Sequence, residues 1–220
     1  MSTPLIYLDN AATSWPKQPC VGEAMVDFLN HKAGNPGRGG HKLARAAGDV
    51  IEEARFKIAQ LINAPSPSRV VLTHGCTDAL NLAIHGVIRA AQRTGCEDAV
   101  HIVTTVLEHN AVLRTLHCYA SDNKINLTYV ECDEFGYIDP QKIADACNEC
   151  TALVCMTHAS NAMGSIQPIQ EAIESVRKTA PDALVLVDCA QTLGHIKIDV
   201  QSIGIDLLAI AGHNGLGGQT

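Results

Sequence analysis

An aspartate, Asp188, ends the apolar run "ALVLVD" at residues 183–188. A run of this composition is expected to be buried on both faces, where an unpaired carboxylate is energetically costly. Asp188 therefore needs a partner, which a protonated ring nitrogen of a cofactor or an Arg or Lys elsewhere in the fold can supply. Three residues later, Gln191 carries an amide that can donate a hydrogen bond to a ligand oxygen.

A second segment with binding chemistry is "LTHGCTDALNLAI", in which Gly75, Cys76 and Thr77 separate an apolar run from an amphipathic pattern. If a helix starts here, its free N–H groups and the positive end of its dipole can bind phosphate, with the Thr77 hydroxyl as an extra donor. The alternative is that Thr77 is only the N-cap of the helix.

Two further residues each allow two interpretations. His109 precedes the helical pattern "NAVLRTLHCY", and it is either an exposed cap residue or an aromatic plate and acid/base group over a ligand ring. Asn161, in "HASNAMG", is either a turn residue or a ligand contact. His213 and Asn214 lie in a glycine-rich turn, "AGHNGLGGQT".

These residues require a scaffold, and the pattern of apolar runs predicts one. Helical periodicity appears at about 17–31, 43–63, 77–93, 109–121, 140–149 and 168–179. Candidate strands are residues 5–8, 69–73, 101–105, 127–131, 152–157, 183–188 and 206–210. Strands that are apolar throughout and alternate with helices predict an α/β fold, a mainly parallel sheet with helices on both faces. In such sheets, ligands bind beyond the carboxyl ends of the strands, where each of the polar segments above falls.

Composition limits the classes of function. The net charge is −7, so the chain offers no strongly basic surface for nucleic acid. The start "MSTPLIYLDN" has no signal-peptide pattern, and no apolar run reaches the ~20 residues of a membrane span, so a cytoplasmic protein is expected. The nine cysteines are interpreted as reduced thiols. "CNEC" at 147–150 has metal-like spacing but no second ligand pair, so no metal is expected.

Together, the motifs resemble the class V aminotransferase superfamily of pyridoxal 5′-phosphate (PLP) enzymes, and within it the cysteine desulfurase and selenocysteine lyase group. The matching segments, in order along nearly the whole chain, are "YLDNAAT", "NPGRGGH", "HGCTDALNLAI", "LEHNAVLR", "HASNAMGSIQPI", "VDCAQTLGHIKIDV" and "GHNGL". An NAD-binding Rossmann domain is excluded because no G-x-G-x-x-G follows the first apolar run.

The resemblance implies the large domain of a fold type I PLP-dependent transferase over residues 1–220, with a role for each residue named above. His109 would stack on the pyridine ring, Asp188 would pair with the ring N–H, and Gln191 would bind the ring hydroxyl. Asn161 would lie near that hydroxyl and the substrate carboxylate. The residues implied to hold the phosphate are Gly75, Cys76, Thr77 and His213. Asp188 would keep the ring protonated, which makes it an electron sink.

Departures from the family pattern concentrate at the end of the chain. Asn214 occupies the place of the Schiff-base lysine that follows the histidine of the family's "GHK", and Ala211 stands where a phosphate-binding Ser or Thr is common. The proline of the family's "GPQG" is missing after "GLGG". The small C-terminal domain, which carries the nucleophilic cysteine and the substrate-binding arginine, is expected to be absent. No cysteine is therefore assigned the role of nucleophile.

The resulting hypothesis is a cysteine desulfurase-like PLP enzyme, which would convert L-cysteine to L-alanine and an enzyme-bound persulfide for sulfur metabolism and iron–sulfur cluster assembly. This chain is expected to be an incomplete and inactive form that binds PLP non-covalently at most. The alternatives are selenocysteine lyase or another class V activity, and a non-catalytic module that acts by binding cofactor or by dimerising.

The resemblance also implies partners and one further contact. A homodimer and a sulfur-acceptor protein are expected. The polar "DNAAT" follows the apolar run at 5–8, where the family brings its N-terminus across the active site. Residues 1 to about 15 are therefore expected to pack near Asp188 and His109.

Overall fold

The computed structural model describes residues 5–93 and 100–219. Within these ranges the strands are β1 (Val100–Thr105), β2 (Ile125–Val130), β3 (Thr151–Thr157), β4 (Leu184–Asp188) and β5 (Leu207–Ala209). The helices are α1 (Pro19–His31), α2 (Lys42–Leu61), α3 (Cys76–Arg93), α4 (Asn110–Ser121), α5 (Pro140–Ala146), α6 (Ile169–Thr179) and α7 (Val200–Ile203). One turn of 3₁₀-helix, Pro67–Arg69, follows α2.

The five strands form one sheet in the order β2-β1-β3-β4-β5, and every neighbouring pair is parallel. The chain moves outward from β1 to β2 and then returns to place β3 on the other side of β1. The carboxyl ends of β1 and β3 therefore flank a topological switch point, which is where open parallel sheets bind ligands. The register aligns Thr157 with Asp188, and Asp188 with Ala209, at this edge.

Helices cover both faces of the sheet, as the sequence predicted. On one face, Leu80, Ile84 and Ile88 of α3 recur at helical spacing and pack with Leu116 of α4 against Ile102. The opposite face is covered by α5 and α6, whose buried residues include Ile143, Ile169, Ile173 and Val176. Consecutive residues of β3 and β4 alternate between these two cores, which explains why both strands are apolar at nearly every position.

Two predicted strands are wrong. Residues 5–8 and 69–73 pair with no other described segment, and Val71 is 64% exposed. An apolar, β-branched run favours an extended backbone, but a strand also needs a neighbour for its N–H and C=O groups, and the sheet ends at β2 and β5. The prediction for α5 is also too long, because the helix ends at Ala146. The short helix α7 was not predicted.

In the described part of the chain, no helix is both long and apolar enough to cross a membrane.

Candidate functional site

All nine residues singled out from the sequence line one cavity of about 540 Å³ at the carboxyl edge of the sheet. They are Gly75, Cys76, Thr77, His109, Asn161, Asp188, Gln191, His213 and Asn214. They come from the loops after several strands and from the starts of two helices, so the parallel topology gathers residues that are far apart in sequence. The volume lies within the range of about 300–1,000 Å³ that is usual for small-molecule and cofactor sites.

Asp188 is the last residue of β4 and only 6% exposed. Its Oδ1 accepts hydrogen bonds from the backbone N–H of Ala190 at 2.9 Å and from the thiol of Cys76 at 3.6 Å. Burial raises the pKa of Asp188, and the Ala190 N–H, the Cys76 thiol and the nearby His109 partly offset this rise. A carboxylate held in this way is electrostatically complementary to a cationic N–H on a ligand.

Helix α3 begins at Cys76, which places Thr77 inside its first turn instead of at the N-cap position. By geometry, the first N–H groups of a helix have no intrahelical carbonyl, and the dipole places positive potential there. These groups border the cavity beside the Thr77 hydroxyl. Burial and the charge of Asp188 raise the pKa of the Cys76 thiol far above its usual range, so it stays protonated and keeps donating to Asp188.

His109 is the cap residue of the first interpretation, and it lies at the cavity, where the second interpretation requires it. It is the N-cap of α4, where its Nδ1 accepts a hydrogen bond from the N–H of Ala111 at 3.1 Å, and its ring also lines the cavity. Because Nδ1 acts as an acceptor, a proton on the neutral ring resides on Nε2. His109 therefore presents a fixed tautomer.

Glu108 is a buried carboxyl to which the sequence pattern gave no role. Its Oε1 accepts hydrogen bonds from the Thr105 hydroxyl at 2.6 Å and from the Thr157 N–H at 2.8 Å, linking the ends of β1 and β3 beside His109. Its Oε2 is buried without a partner among the described residues. Burial raises the pKa of Glu108 to about 8, with a smaller contribution from the charge of Asp188, and its two hydrogen-bond donors offset this rise only in part.

This raised pKa predicts a pH-dependent stability. The folded pKa of about 8 exceeds the ordinary value of 4.5, so the contribution of Glu108 is fully present below about pH 4.5 and is lost as the pH rises through 8. Glu108→Gln mimics the protonated form. We expect the variant and the native chain to have similar free energies of unfolding at pH 5, and the variant to be more stable at pH 9 by up to about 5 kcal/mol. Urea unfolding at both pH values measures this, and equal pH dependence of the two proteins would contradict the assignment.

The turn at 211–218 approaches the loop after β4 closely enough to require glycine. A Cβ on Gly215 would lie 2.0 Å from the carbonyl oxygen of Leu193. This contact explains part of the glycine content of the turn, and it holds His213 and Asn214 against the cavity. The His213 Nδ1 is buried without a partner among the described residues, while burial and the charge of Lys17 lower the pKa of the ring.

The N-terminal arm, residues 5–15, closes one side of the cavity, as the sequence predicted for it, while residues 1–4 of that prediction lie outside the described residues. Asp9, Ala11 and Ala12 line it, and the Gln191 amide donates to the carbonyl of Ala11 at 3.0 Å. The Lys17 ammonium fixes the arm by donating to the carbonyl of His213 at 2.7 Å. The contact of Lys17 and the backbone contacts of the arm were not predicted. A single lysine that binds a backbone carbonyl looks the same in the sequence as a solvent-exposed lysine.

Asn161 lies in the turn after β3, exposed and at the cavity wall, so it is both a turn residue and a lining residue.

In the described ranges, no group of three or more His, Cys, Asp or Glu side chains is arranged to hold a metal ion. Cys147 is buried, whereas Cys150 of the same "CNEC" segment is exposed.

The described residues fit a phosphorylated pyridine ring in most respects. A buried carboxyl suits the ring nitrogen, His109 offers an aromatic face, and the start of α3 suits a phosphate. One feature does not fit an aldehyde-bearing cofactor held covalently. The 17 residues that line the cavity in the described part of the chain include no lysine.

The parallel α/β fold is that of the large domain of a fold type I PLP-dependent transferase, and the aminotransferase class-V family model matches residues 6–219. The chain belongs to the class V aminotransferase family. A cysteine desulfurase IscS of Dictyoglomus turgidum is 39% identical over 208 residues, covering 94% of this chain and 50% of that protein. A probable cysteine desulfurase of Halalkalibacterium halodurans is 37% identical, and the match covers 96% of this chain and 50% of that protein.

Solved structures agree with the fold. The apo structure of a cysteine desulfurase from Thermococcus onnurineus NA1 superposes with a TM-score of 0.87 at 32% identity, covering 98% of this chain and 51% of that one. SspA in complex with cysteine gives a TM-score of 0.85 at 30% identity, with 94% and 57% of the two chains covered. The chain spans about half the length of the curated relatives it matches.

Proposed function

We propose that residues 1–220 form the PLP-binding large domain of a cysteine desulfurase-like protein. The observation that carries this proposal is the convergence of Asp188, His109 and the start of α3 on one cavity at the topological switch point. The names of the relatives support L-cysteine as the substrate of the full-length protein, and L-alanine and a persulfide are the products that we propose for it. A sulfur-acceptor protein would be a further partner of that complete enzyme.

Each cavity residue has a separate task in this proposal. The Asp188 carboxylate holds a proton on the ring nitrogen, and His109 packs against the ring face with its Nε2–H available to a substrate atom. The first N–H groups of α3, the Thr77 hydroxyl and His213 hold the phosphate. The amide nitrogen of Gln191 has a second N–H besides the one bound to Ala11, and this N–H binds the ring hydroxyl. PLP, when bound, supplies an electron sink for a carbanion formed next to its ring.

Asn214 sets a limit on this activity. Its amide nitrogen cannot form the covalent link to the cofactor that a lysine forms, because the nitrogen lone pair is delocalised onto the carbonyl. It also cannot move a proton at the substrate carbon, as an amine can. The same residue favours a second candidate function, a non-catalytic module that binds the cofactor without turnover.

The proposal predicts a contrast between two proteins measured side by side. With L-cysteine, PLP and a thiol reductant, this chain is expected to release no alanine above the no-protein blank, while the full-length Dictyoglomus turgidum relative releases alanine and sulfide. Chromatographic detection of alanine measures both. Alanine production by this chain would overturn the role given to Asn214, and selenocysteine preference by the relative would favour the lyase alternative.

We also propose that the chain self-associates. Helix α1 buries none of its residues and exposes Met25, Val26 and Leu29, and α2 exposes Phe56. Exposed apolar side chains of this kind favour association. We expect sedimentation at micromolar concentration to show dimers or larger species. Leu29→Glu is expected to raise the dissociation constant of the dimer at least about tenfold. Phe135→Glu, at an exposed turn elsewhere, is the control, and a monodisperse native monomer would contradict the proposal.

The compartment proposed is the cytoplasm. Eight cysteines in the described ranges are free thiols, which suits a reducing environment.

A further inference from the structure

Asn214 presents a buried hydrogen-bond acceptor that no described residue satisfies. The side chain is 6% exposed and lines the cavity. Its Nδ2 donates to the carbonyl oxygen of Ala190 at 3.1 Å, while its Oδ1 is buried without a partner. The Ala190 carbonyl oxygen can only accept a hydrogen bond. Flipping the Asn214 amide would place its Oδ1 against this oxygen, so that two acceptors would face each other. The orientation of Asn214 is therefore fixed, with Oδ1 directed away from Ala190.

A buried acceptor without a donor destabilises the fold, so a ligand that brings an N–H to this point is favoured over one that does not. The charge of the cavity acts in the same direction. Among the described residues, its lining includes three aspartates, Asp9, Asp78 and Asp188, and no lysine or arginine, while the Lys17 ammonium binds the carbonyl oxygen of the lining residue His213. The lowered pKa of His213 keeps that ring neutral near pH 7 as well. The site thus combines a fixed acceptor with an acidic lining, and both favour a cationic donor.

We propose that the cavity selects the amine form of the phosphopyridine cofactor, pyridoxamine 5′-phosphate, over the aldehyde form, with Asn214 Oδ1 accepting a hydrogen bond from the ligand ammonium group. This inference rests on the proposed function, which assigns the ring and phosphate to the cavity. The ammonium group of the amine form offers three N–H donors. The aldehyde oxygen of PLP is only an acceptor, and it gains nothing from Asn214 Oδ1. No bond is formed or broken, so the preference is one of non-covalent binding alone.

Calorimetric titration of the native chain with three probes tests the inference. The probes are pyridoxamine 5′-phosphate, PLP and pyridoxine 5′-phosphate, which share the ring and the phosphate and differ only in the amine, aldehyde or alcohol group. We expect the amine to bind at least about tenfold more tightly than the aldehyde, with the alcohol between them, since a charge-assisted hydrogen bond is stronger than a neutral one. Equal affinities, or tighter binding of PLP, would overturn the inference and leave the cofactor site standing. Failure of all three probes to bind would overturn the proposed function together with the inference.

Two variants separate the acceptor from the general shape of the cavity. Asn214→Leu has a similar size but no acceptor, and it is expected to lower the affinity for the amine about tenfold while changing the affinity for the alcohol less. Asn214→Asp places a carboxylate at the same point, and its preference for the amine over the alcohol is expected to exceed that of the native chain. Circular dichroism confirms that each variant is folded. If the amine preference were unchanged in both folded variants, Asn214 would not be its source.

Discussion

Asn214→Lys is expected to convert non-covalent binding of PLP into covalent attachment at position 214. The native amide has no free lone pair for addition to the cofactor aldehyde, and no change of environment restores one. A lysine amine has an ordinary pKa of about 10.4, which burial lowers towards neutral pH because desolvation disfavours the charged form. Position 214 is buried and borders the cavity, so burial favours the neutral amine there and the amine lies near the bound aldehyde.

Borohydride reduction followed by peptide mass spectrometry measures this attachment. After incubation with PLP, the peptide that contains position 214 is expected to carry the reduced cofactor in nearly all molecules of the variant and in none of the native chain. Asn214→Gln, which keeps an amide, is the matched control and should remain unmodified. An adduct on that peptide in the native chain, or its absence from a folded lysine variant, would contradict the assignment of position 214.

Asp188→Asn is expected to weaken the binding of pyridoxine 5′-phosphate by at least about 30-fold, because removing one partner of a buried charged hydrogen bond costs about 2–5 kcal/mol. The same substitution is expected to stabilise the ligand-free chain at neutral pH. The raised pKa of Asp188 means that its stabilising contribution, present below about pH 4, is lost as the pH rises through the folded value. A residue that stabilises the ligand complex while destabilising the free fold is typical of a binding site.

Calorimetry and urea unfolding at pH 7.5 measure the two effects separately. Asp145→Asn, an exposed substitution of the same kind on α5, is the control and should change neither quantity. Unchanged affinity in a folded Asp188→Asn variant would remove Asp188 from the ring-binding role.

The parallel sheet was predictable because its central strands are buried on both faces. β3 and β4 are apolar at nearly every position, and short runs of this kind that alternate with amphipathic helices are typical of a parallel sheet covered on both sides. Residues 69–73 have a similar composition, yet they pair with nothing in the described structure. Whether residues 69–73 form a strand depends on a neighbouring strand that could pair with them. Their own side chains carry no information about that neighbour.

The cavity was predictable for a related reason. Polar residues that follow buried strands meet at the carboxyl edge, so Asp188, His109 and Asn161 converge once the sheet is known to be parallel. Glu108 was missed because the sequence does not reveal whether a glutamate beside a cap residue turns inward. The orientation of the Asn214 amide could not be predicted from the sequence either, because it depends on the Ala190 carbonyl, which is 24 residues away along the chain.

The cavity is proposed, above all, to bind a phosphopyridine ring between Asp188 and His109. A crystal structure of the native chain grown with saturating pyridoxamine 5′-phosphate tests this most directly, because this ligand forms no imine with surface lysines. We expect the ring nitrogen within hydrogen-bonding distance of the Asp188 carboxylate, the ring face against His109 and the phosphate at the backbone N–H groups that open α3. A ligand bound outside the cavity, or a phosphate directed away from the start of α3, would contradict the proposal.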